Sequence, residues 1–235
     1  MDIKNAKVLI TGGTSGIGYE TAKMLVHHGA KVAICGRHQK TVDESAEKLG
    51  AVGIVSDVSK EHDVINMVKT VIDKFGDFNV LVNNAAFGHF SLLKDMDTQK
   101  FNELYATNVT GAMMVGRECA KHFIENNYGN IVNIASTAGK NGFAGGTAYS
   151  SSKFALRGMT ECWRAELRKN NIRVMLVNPS EVQTNFGSNA GREKRPVNQS
   201  KLESKEIAHT ILSMLQMDDK GFITEATIFA TNPQN

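Results

Sequence analysis

Seven short runs rich in β-branched residues, each followed by a longer amphipathic or polar stretch, set the strongest limit on how this chain can fold. They are residues 7–11 (KVLIT), 31–35 (KVAIC), 53–56 (GIVS), 79–83 (NVLVN), 130–135 (NIVNIA), 172–178 (IRVMLVN) and 222–229 (FITEATIF). None alternates strictly between apolar and polar, so each reads as a strand covered on both faces, as in a parallel sheet between helix layers. Helices are expected over about 17–28, from the end of the second run to Gly50, over 60–75, as one long helix over 98–127, over 149–169 and over 204–217. Residues 186–200 read as a polar loop. Strand–helix alternation throughout predicts an α/β fold: a doubly wound parallel sheet of seven strands flanked by helices, joined by right-handed crossovers. No repeat, low-complexity tract or linker divides the chain, so one domain is expected over 1–235.

The hydrophobic share of 41% over 235 residues allows a large core without disulfides or metal. The formal charge of +3 is spread along the chain, which reads as a solvated mixed surface and not as a nucleic-acid footprint. Cys35, Cys119 and Cys162 are odd in number and widely spaced, with no CxxC pair, so neither a zinc site nor a disulfide framework is expected. The apolar stretch near the start is too short and too soon broken by glycines for a secretory signal. No apolar run approaches the roughly 20 residues a membrane helix needs. A reduced, cytoplasmic protein without membrane or nucleic-acid partners is expected.

The first run leads into Thr11-Gly12-Gly13-Thr14-Ser15-Gly16-Ile17-Gly18. Glycines at 12, 16 and 18 stand where a strand turns into a helix. Such a turn needs positive φ and close backbone approach, and its helix N-terminus offers free N–H groups to a pyrophosphate. A tight turn with no ligand has the same look. The position in the first βαβ unit favours nucleotide binding, with Gly12, Thr14, Ser15, Gly16, Ile17 and Gly18 as contacts.

Tyr149-Ser150-Ser151-Ser152-Lys153 forms a YxxxK pair whose side chains share one helix face. An ammonium beside a tyrosine favours the tyrosinate, which makes Tyr149 a candidate proton donor and acceptor. Ser136 ends the fifth run, 13 residues before Tyr149, where its hydroxyl can donate to a substrate oxygen. Asn108 lies inside the expected long helix, where Asn competes for backbone hydrogen bonds and suggests a local kink. Each has a bland counterpart: a solvated helix pair, a turn serine, an exposed helix Asn. Their joint order does not. In the TGxxxGxG turn and in Asn108, Ser136, Tyr149 and Lys153, the chain resembles the short-chain dehydrogenase/reductase family over essentially its whole length, and within it is broadly similar to 3-oxoacyl reductases.

The resemblance implies a Rossmann-type sheet and a catalytic tetrad of those four residues, with Asn108 holding a water near Lys153 and Lys153 binding ribose. It assigns Asp57 to the adenine amino group, with Val58 beside it, although Asp57 also reads as a helix cap. It places Pro179, Val182 and Thr184 at the nicotinamide. Asn84 and Ala85, in an NNAA run where the family usually has NNAG, read first as ties across the sheet edge and second as cofactor lining. Pro179-Ser180 replaces the usual PG. Arg37, with His38 beside it, follows the second run where an acid would select NAD, so NADP(H) is expected in preference to NAD(H).

The implied reaction is reduction of a ketone or aldehyde, a 3-oxoacyl thioester among the options, or the reverse oxidation of an alcohol. The alternative is a catalytically silent NADP-binding regulator. A substrate loop is expected over about 183–203, with a basic triplet at Arg192, Lys194 and Arg195. Asn130 and Asn171 stand where acyl-carrier reductases often have basic residues, which weighs against a carrier-protein substrate. His89, Phe90, Phe143 and Phe186 are candidate pocket walls or plain core. A homodimer or homotetramer is implied, through the helices near 98–127 and 149–169 and the last strand. Small residues at Ala155, Gly158, Cys162 and Ala165 suit close helix packing, between subunits or within one.

Overall fold

The computed structural model describes residues 1–191, Glu193 and 196–232. Arg192, Lys194 and Arg195 therefore lie outside the described residues. In chain order the elements are β1 (Lys7–Thr11), α1 (Gly16–His27), β2 (Lys31–Gly36), α2 (Gln39–Leu49), β3 (Val52–Val55), α3 (Glu61–Phe75), β4 (Val80–Asn83) and α4 (Thr98–Tyr105). A π-helical segment (Ala106–Gly111) leads to α5 (Ala112–Glu125), β5 (Gly129–Ile134), a 3-10 turn (Thr137–Gly139), α6 (Thr147–Leu167) and β6 (Ile172–Pro179). Then come β7 (Val182–Gln183), α7 (Phe186–Asn189), β8 (Leu202–Glu203), α8 (Ser204–Gln216) and β9 (Glu225–Ile228).

The main sheet has seven strands in the order β3-β2-β1-β4-β5-β6-β9, every pair parallel. The absence of polar alternation has a direct cause in burial. Val8, Ile10, Val80, Val82, Val132, Met175 and Val177 face one core cluster, with Leu25 of α1 and Ile207 and Ile211 of α8. Their chain neighbours Leu9, Leu81, Ile131 and Val174 face the other, with Val64 and Met67 of α3 and Val115 and Cys119 of α5. Both sets are apolar because both faces are covered. Cys35 and Cys119 are buried in this packing and Cys162 is exposed.

Some expectations are corrected. The single helix expected over 98–127 is two α-helices separated by the π-helical segment. Periodicity alone does not reveal one extra residue in a turn. The last strand is shorter than expected, because only Glu225–Ile228 pairs with β6. The 186–200 loop begins with the single turn α7, and Val182–Gln183 pairs in parallel with Leu202–Glu203, a small second sheet that two-residue segments do not announce. Asp57 does not cap α3, whose N-cap is Lys60. Instead its carboxylate accepts from the Ser59 N–H at 3.0 Å and hydroxyl at 2.8 Å, an Asx-type turn. Among the described residues no helix is long and apolar enough to cross a membrane.

Candidate active site

The strand order reverses direction beside β1, where β2 lies on one side and β4 on the other. In open α/β sheets the crevice at the strand carboxyl ends beside such a switch point is where ligands lie. The glycine turn sits there. Gly12 and Gly16 take φ of +64° and +54°, which a side chain would strain. Gly18 is required for a different reason: a Cβ there would stand 2.4 Å from the Gly12 carbonyl oxygen and 2.6 Å from Asn84 Nδ2. Gly13, which the motif alone does not single out, is likewise forced, because its Cβ would meet Ile34 of β2 at 2.6 Å. Ser15 is the N-cap of α1 but makes no side-chain cap bond, so the first-turn N–H groups keep no side-chain acceptor. That arrangement can receive a phosphate group.

Thr11, also missed in the sequence, ties this turn to β4. Its hydroxyl accepts from the backbone N–H of Asn84 at 2.9 Å and of Ala85 at 3.0 Å, while Asn84 Nδ2 donates to the carbonyls of Thr11 at 2.9 Å and Gly12 at 3.1 Å. The tie-across-the-edge reading of Asn84 is thus the one the geometry expresses. Arg37 and His38 are exposed ahead of α2, and the nearby Asp43 accepts from Gln39. Val58 is buried, and its carbonyl oxygen would stand 2.7 Å from a Cβ on Gly111, which brings this loop onto the end of the π-helical segment.

Asn108 is 1% exposed at the centre of that segment. Its Nδ2 donates to the Phe87 carbonyl at 2.9 Å and to Ser152 Oγ at 3.2 Å, and its Oδ1 accepts from the Phe87 N–H at 3.0 Å. The side chain thus fixes the loop after β4 against the helix residue next to Lys153. Ser136 comes just after β5, and its Oγ accepts from the Ala138 N–H at 3.1 Å and donates to the Pro179 carbonyl at 3.4 Å. Tyr149 lies in the first turn of α6, half-buried between Phe90 and Phe186. Lys153, one turn on, is 3% exposed; its Nζ donates to the Ile134 carbonyl at 2.9 Å and lies 5.8 Å from the Tyr149 ring centroid. Burial pushes its pKa down from 10.5 to about 8.

The segment after β6 closes the crevice. Thr184 Oγ1 accepts from the Phe186 N–H at 3.2 Å. Its Cγ2 would be 3.4 Å from a Cβ on Gly16, so the loop after β6 reaches the glycine turn after β1. Pro179 is buried and Val182 half-buried. A groove of about 540 Å³ opens on the outer side of this contact, lined in part by Gly16, Tyr19, Lys23, Thr184 and Lys205. Among the described residues no cluster of three or more His, Cys, Asp or Glu is grouped to hold a metal ion. The geometry brings Asn108, Ser136, Tyr149 and Lys153 to the β4, β5 and β6 ends of one sheet edge, and the glycine turn to the same edge at β1.

The model of the short chain dehydrogenase family matches residues 6–195. The chain is 34% identical over 240 residues to (2S)-[(R)-hydroxy(phenyl)methyl]succinyl-CoA dehydrogenase subunit BbsD of Thauera aromatica, covering 97% of this chain and 96% of that protein. It is also 34% identical over 196 residues to the uncharacterized oxidoreductase YxnA of Bacillus subtilis, covering 80% of this chain and 55% of that longer protein. Among solved structures it superposes on the 3-ketoacyl-(acyl-carrier-protein) reductase of Brucella melitensis, complexed with NADH, with a TM-score of 0.87 and 26% identity over 96% of each chain. The chain belongs to the short-chain dehydrogenase family, NAD(P)-dependent oxidoreductases that act on CH–OH and C=O groups.

Proposed function

We propose that this protein is an NADP(H)-dependent reductase of a ketone or aldehyde, working in reverse as an alcohol dehydrogenase, with Tyr149 as the proton donor and acceptor. The observation that carries this reading is Lys153: a buried ammonium, bonded to one backbone carbonyl, 5.8 Å from the Tyr149 ring. Burying such a charge without a carboxylate is costly, and costly charges gather at functional sites.

Bound NADPH would supply the hydride. Gly12, Thr14, Ser15, Gly16, Ile17 and Gly18 would hold its pyrophosphate, Asp57, Val58, Asn84 and Ala85 its adenosine side, and Pro179, Val182 and Thr184 its nicotinamide. Arg37, with His38, would pair with the 2′-phosphate, since no acid competes at the end of β2. In reduction Tyr149 gives its hydroxyl proton to the carbonyl oxygen, on which Ser136 places a second donor. The Lys153 charge favours the tyrosinate that remains, and its ammonium would hold the ribose of the bound cofactor. Asn108 keeps the loop after β4 in register with α6 and supports the proton path through Lys153.

A 3-oxoacyl thioester is the second substrate reading, favoured by the names of the Thauera and Brucella proteins. The regulatory alternative predicts cofactor binding without turnover. We further propose a cytoplasmic homodimer or homotetramer acting as one domain per chain. The exposed outer face of α6, with Phe154 45% exposed beside Gly158 and Cys162, supports a helix-to-helix contact.

The test is a fluorescence titration with NADPH and NADH, then a carbonyl panel read at the reduced-nicotinamide absorbance. Tyr149→Phe is expected to lower kcat by about a thousandfold while leaving the NADPH Kd unchanged. A variant that turns over like wild type overturns the mechanism.

A further inference from the structure

We infer that the site takes a neutral carbonyl compound in which the carbonyl is borne on an aryl or alicyclic ring, held against an aromatic platform formed by Phe90, Phe143 and Phe186 around Tyr149. The inference rests on Tyr149 being the proton donor proposed above.

The three phenylalanines come from three separate loops at the carboxyl edge: Phe90 after β4, Phe143 after β5, and Phe186 at the start of α7. Phe90 and Phe186 flank Tyr149 with ring centroids at 5.6 and 5.4 Å, inclined at 60° and 57°. Phe143 extends the array from Phe90, at 6.1 Å and 38°. Tilted and offset pairs at these distances are the arrangements aromatic rings favour, and a ring laid against their exposed faces gains contacts of the same kind. A straight alkyl chain gains area but not ring geometry.

The loops are held in this arrangement. Gly88 is the pivot: a Cβ there would stand 2.9 Å from both Phe186 Cε1 and Phe90 Cε2. Gly146 plays the same part beneath Phe143, where a Cβ would lie 2.8 Å from its Cζ. The Ser91 N–H donates to the Gly145 carbonyl at 3.0 Å, joining the first two loops, and Asn108 fixes Phe87.

Charge points the same way. Residues 86–92 and 141–147 contain no Asp, Glu, Lys or Arg. Lys140, at the base of the second loop, is engaged by Glu225 at 2.5 Å and Thr227 at 2.9 Å. A charged group next to the reacting carbonyl would lose its hydration among phenyl rings, with the His89 imidazole as the one titratable side chain these two loops offer it. Outward, Phe143 is 45% exposed, and Leu92 and Leu93, next to the tied Ser91, are 52% and 76% exposed. The apolar surface therefore continues beyond the three rings.

The experiment compares kcat/KM for benzaldehyde, cyclohexanecarbaldehyde, heptanal and acetoacetyl-CoA with NADPH, in wild type and in Phe90→Leu, Phe186→Leu and Gly88→Ala. The ring aldehydes are expected to exceed heptanal by about tenfold, with acetoacetyl-CoA below both, and the variants to cut the ring-to-chain ratio to about threefold or less. Heptanal equal to the ring aldehydes, acetoacetyl-CoA preferred, a ratio untouched by all three variants, or no turnover of either ring aldehyde overturns the assignment. Those results leave the reductase reading standing when NADPH binds and any carbonyl is turned over. Failure to bind either cofactor, or full activity in Tyr149→Phe, overturns that reading instead.

Discussion

Burying an ammonium with one carbonyl for company destabilises a fold, and Lys153 carries that penalty at every pH where it is charged. Its pKa of about 8 in the folded chain lies below the ordinary 10.5. Between those values the unfolded chain holds more protons than the native one, so this residue makes stability rise with pH there. Below pH 8 the penalty is present in full, about 3 kcal/mol. Lys153→Met should therefore be more stable than wild type at pH 7, and the gap should narrow by about 2 kcal/mol at pH 10, measured by denaturant unfolding. A gap that does not change with pH would mean that Lys153 keeps its charge in the fold. Arg37 offers the complementary test on the cofactor. Arg37→Asp places a carboxylate where the 2′-phosphate would sit, and should move the NADPH-to-NADH ratio of Kd values by about a hundredfold toward NADH. An unchanged ratio would remove Arg37 from the cofactor reading.

At the scale of elements, Glu225 at the start of β9 joins pieces that the sequence keeps far apart. It accepts from Lys140 beyond the Ser136 turn at 2.5 Å, from Asn178 Nδ2 on β6 at 2.9 Å, and pairs with Arg157 of α6 at 3.6 Å. Burial pushes its carboxyl upward, but the Lys140 hydrogen bond and the charges of Arg157, Lys140 and Arg164 outweigh this and hold it below 4.5. A carboxyl lowered in this way stabilises the fold above its unfolded value, and that contribution is lost as pH falls through the folded one. Glu225→Ala should cost about 1–3 kcal/mol at pH 7 and progressively less as the pH falls below the ordinary carboxyl value and through the lowered one, tracked by thermal melts. A loss of the same size at every pH would mean that the carboxylate charge is not what is being removed.

Such a junction was not legible in the sequence, because its partners sit at 140, 157 and 178 and meet only through strand order. Thr11 and Gly13 escaped for the same reason: what makes them necessary is Asn84 and Ile34 across the sheet. Asn108 was legible as a helix oddity, but its partner Phe87 and the π-helical segment around it were not. The strands themselves could be read because burial on both faces makes their composition nearly continuous. Residues 186–200 could be read only as polar, since the single helical turn Phe186–Asn189 leaves too short a pattern.

For the whole molecule, the order β3-β2-β1-β4-β5-β6-β9 carries a consequence for how the chain comes into being. Residues up to Asn83 already contain β1, β2, β3 and β4, four adjoining strands with the glycine turn at their edge. Every later strand of the main sheet joins the same free side in chain order, β5 on β4, β6 on β5, β9 on β6. As the chain leaves the ribosome, no pair already made must be reopened to admit a later strand, and each new strand finds its neighbour waiting. Synthesis thus lays down the glycine turn first and Tyr149 and Lys153 much later, so on the function proposed above a nascent chain would be shaped for the cofactor long before it is equipped for chemistry.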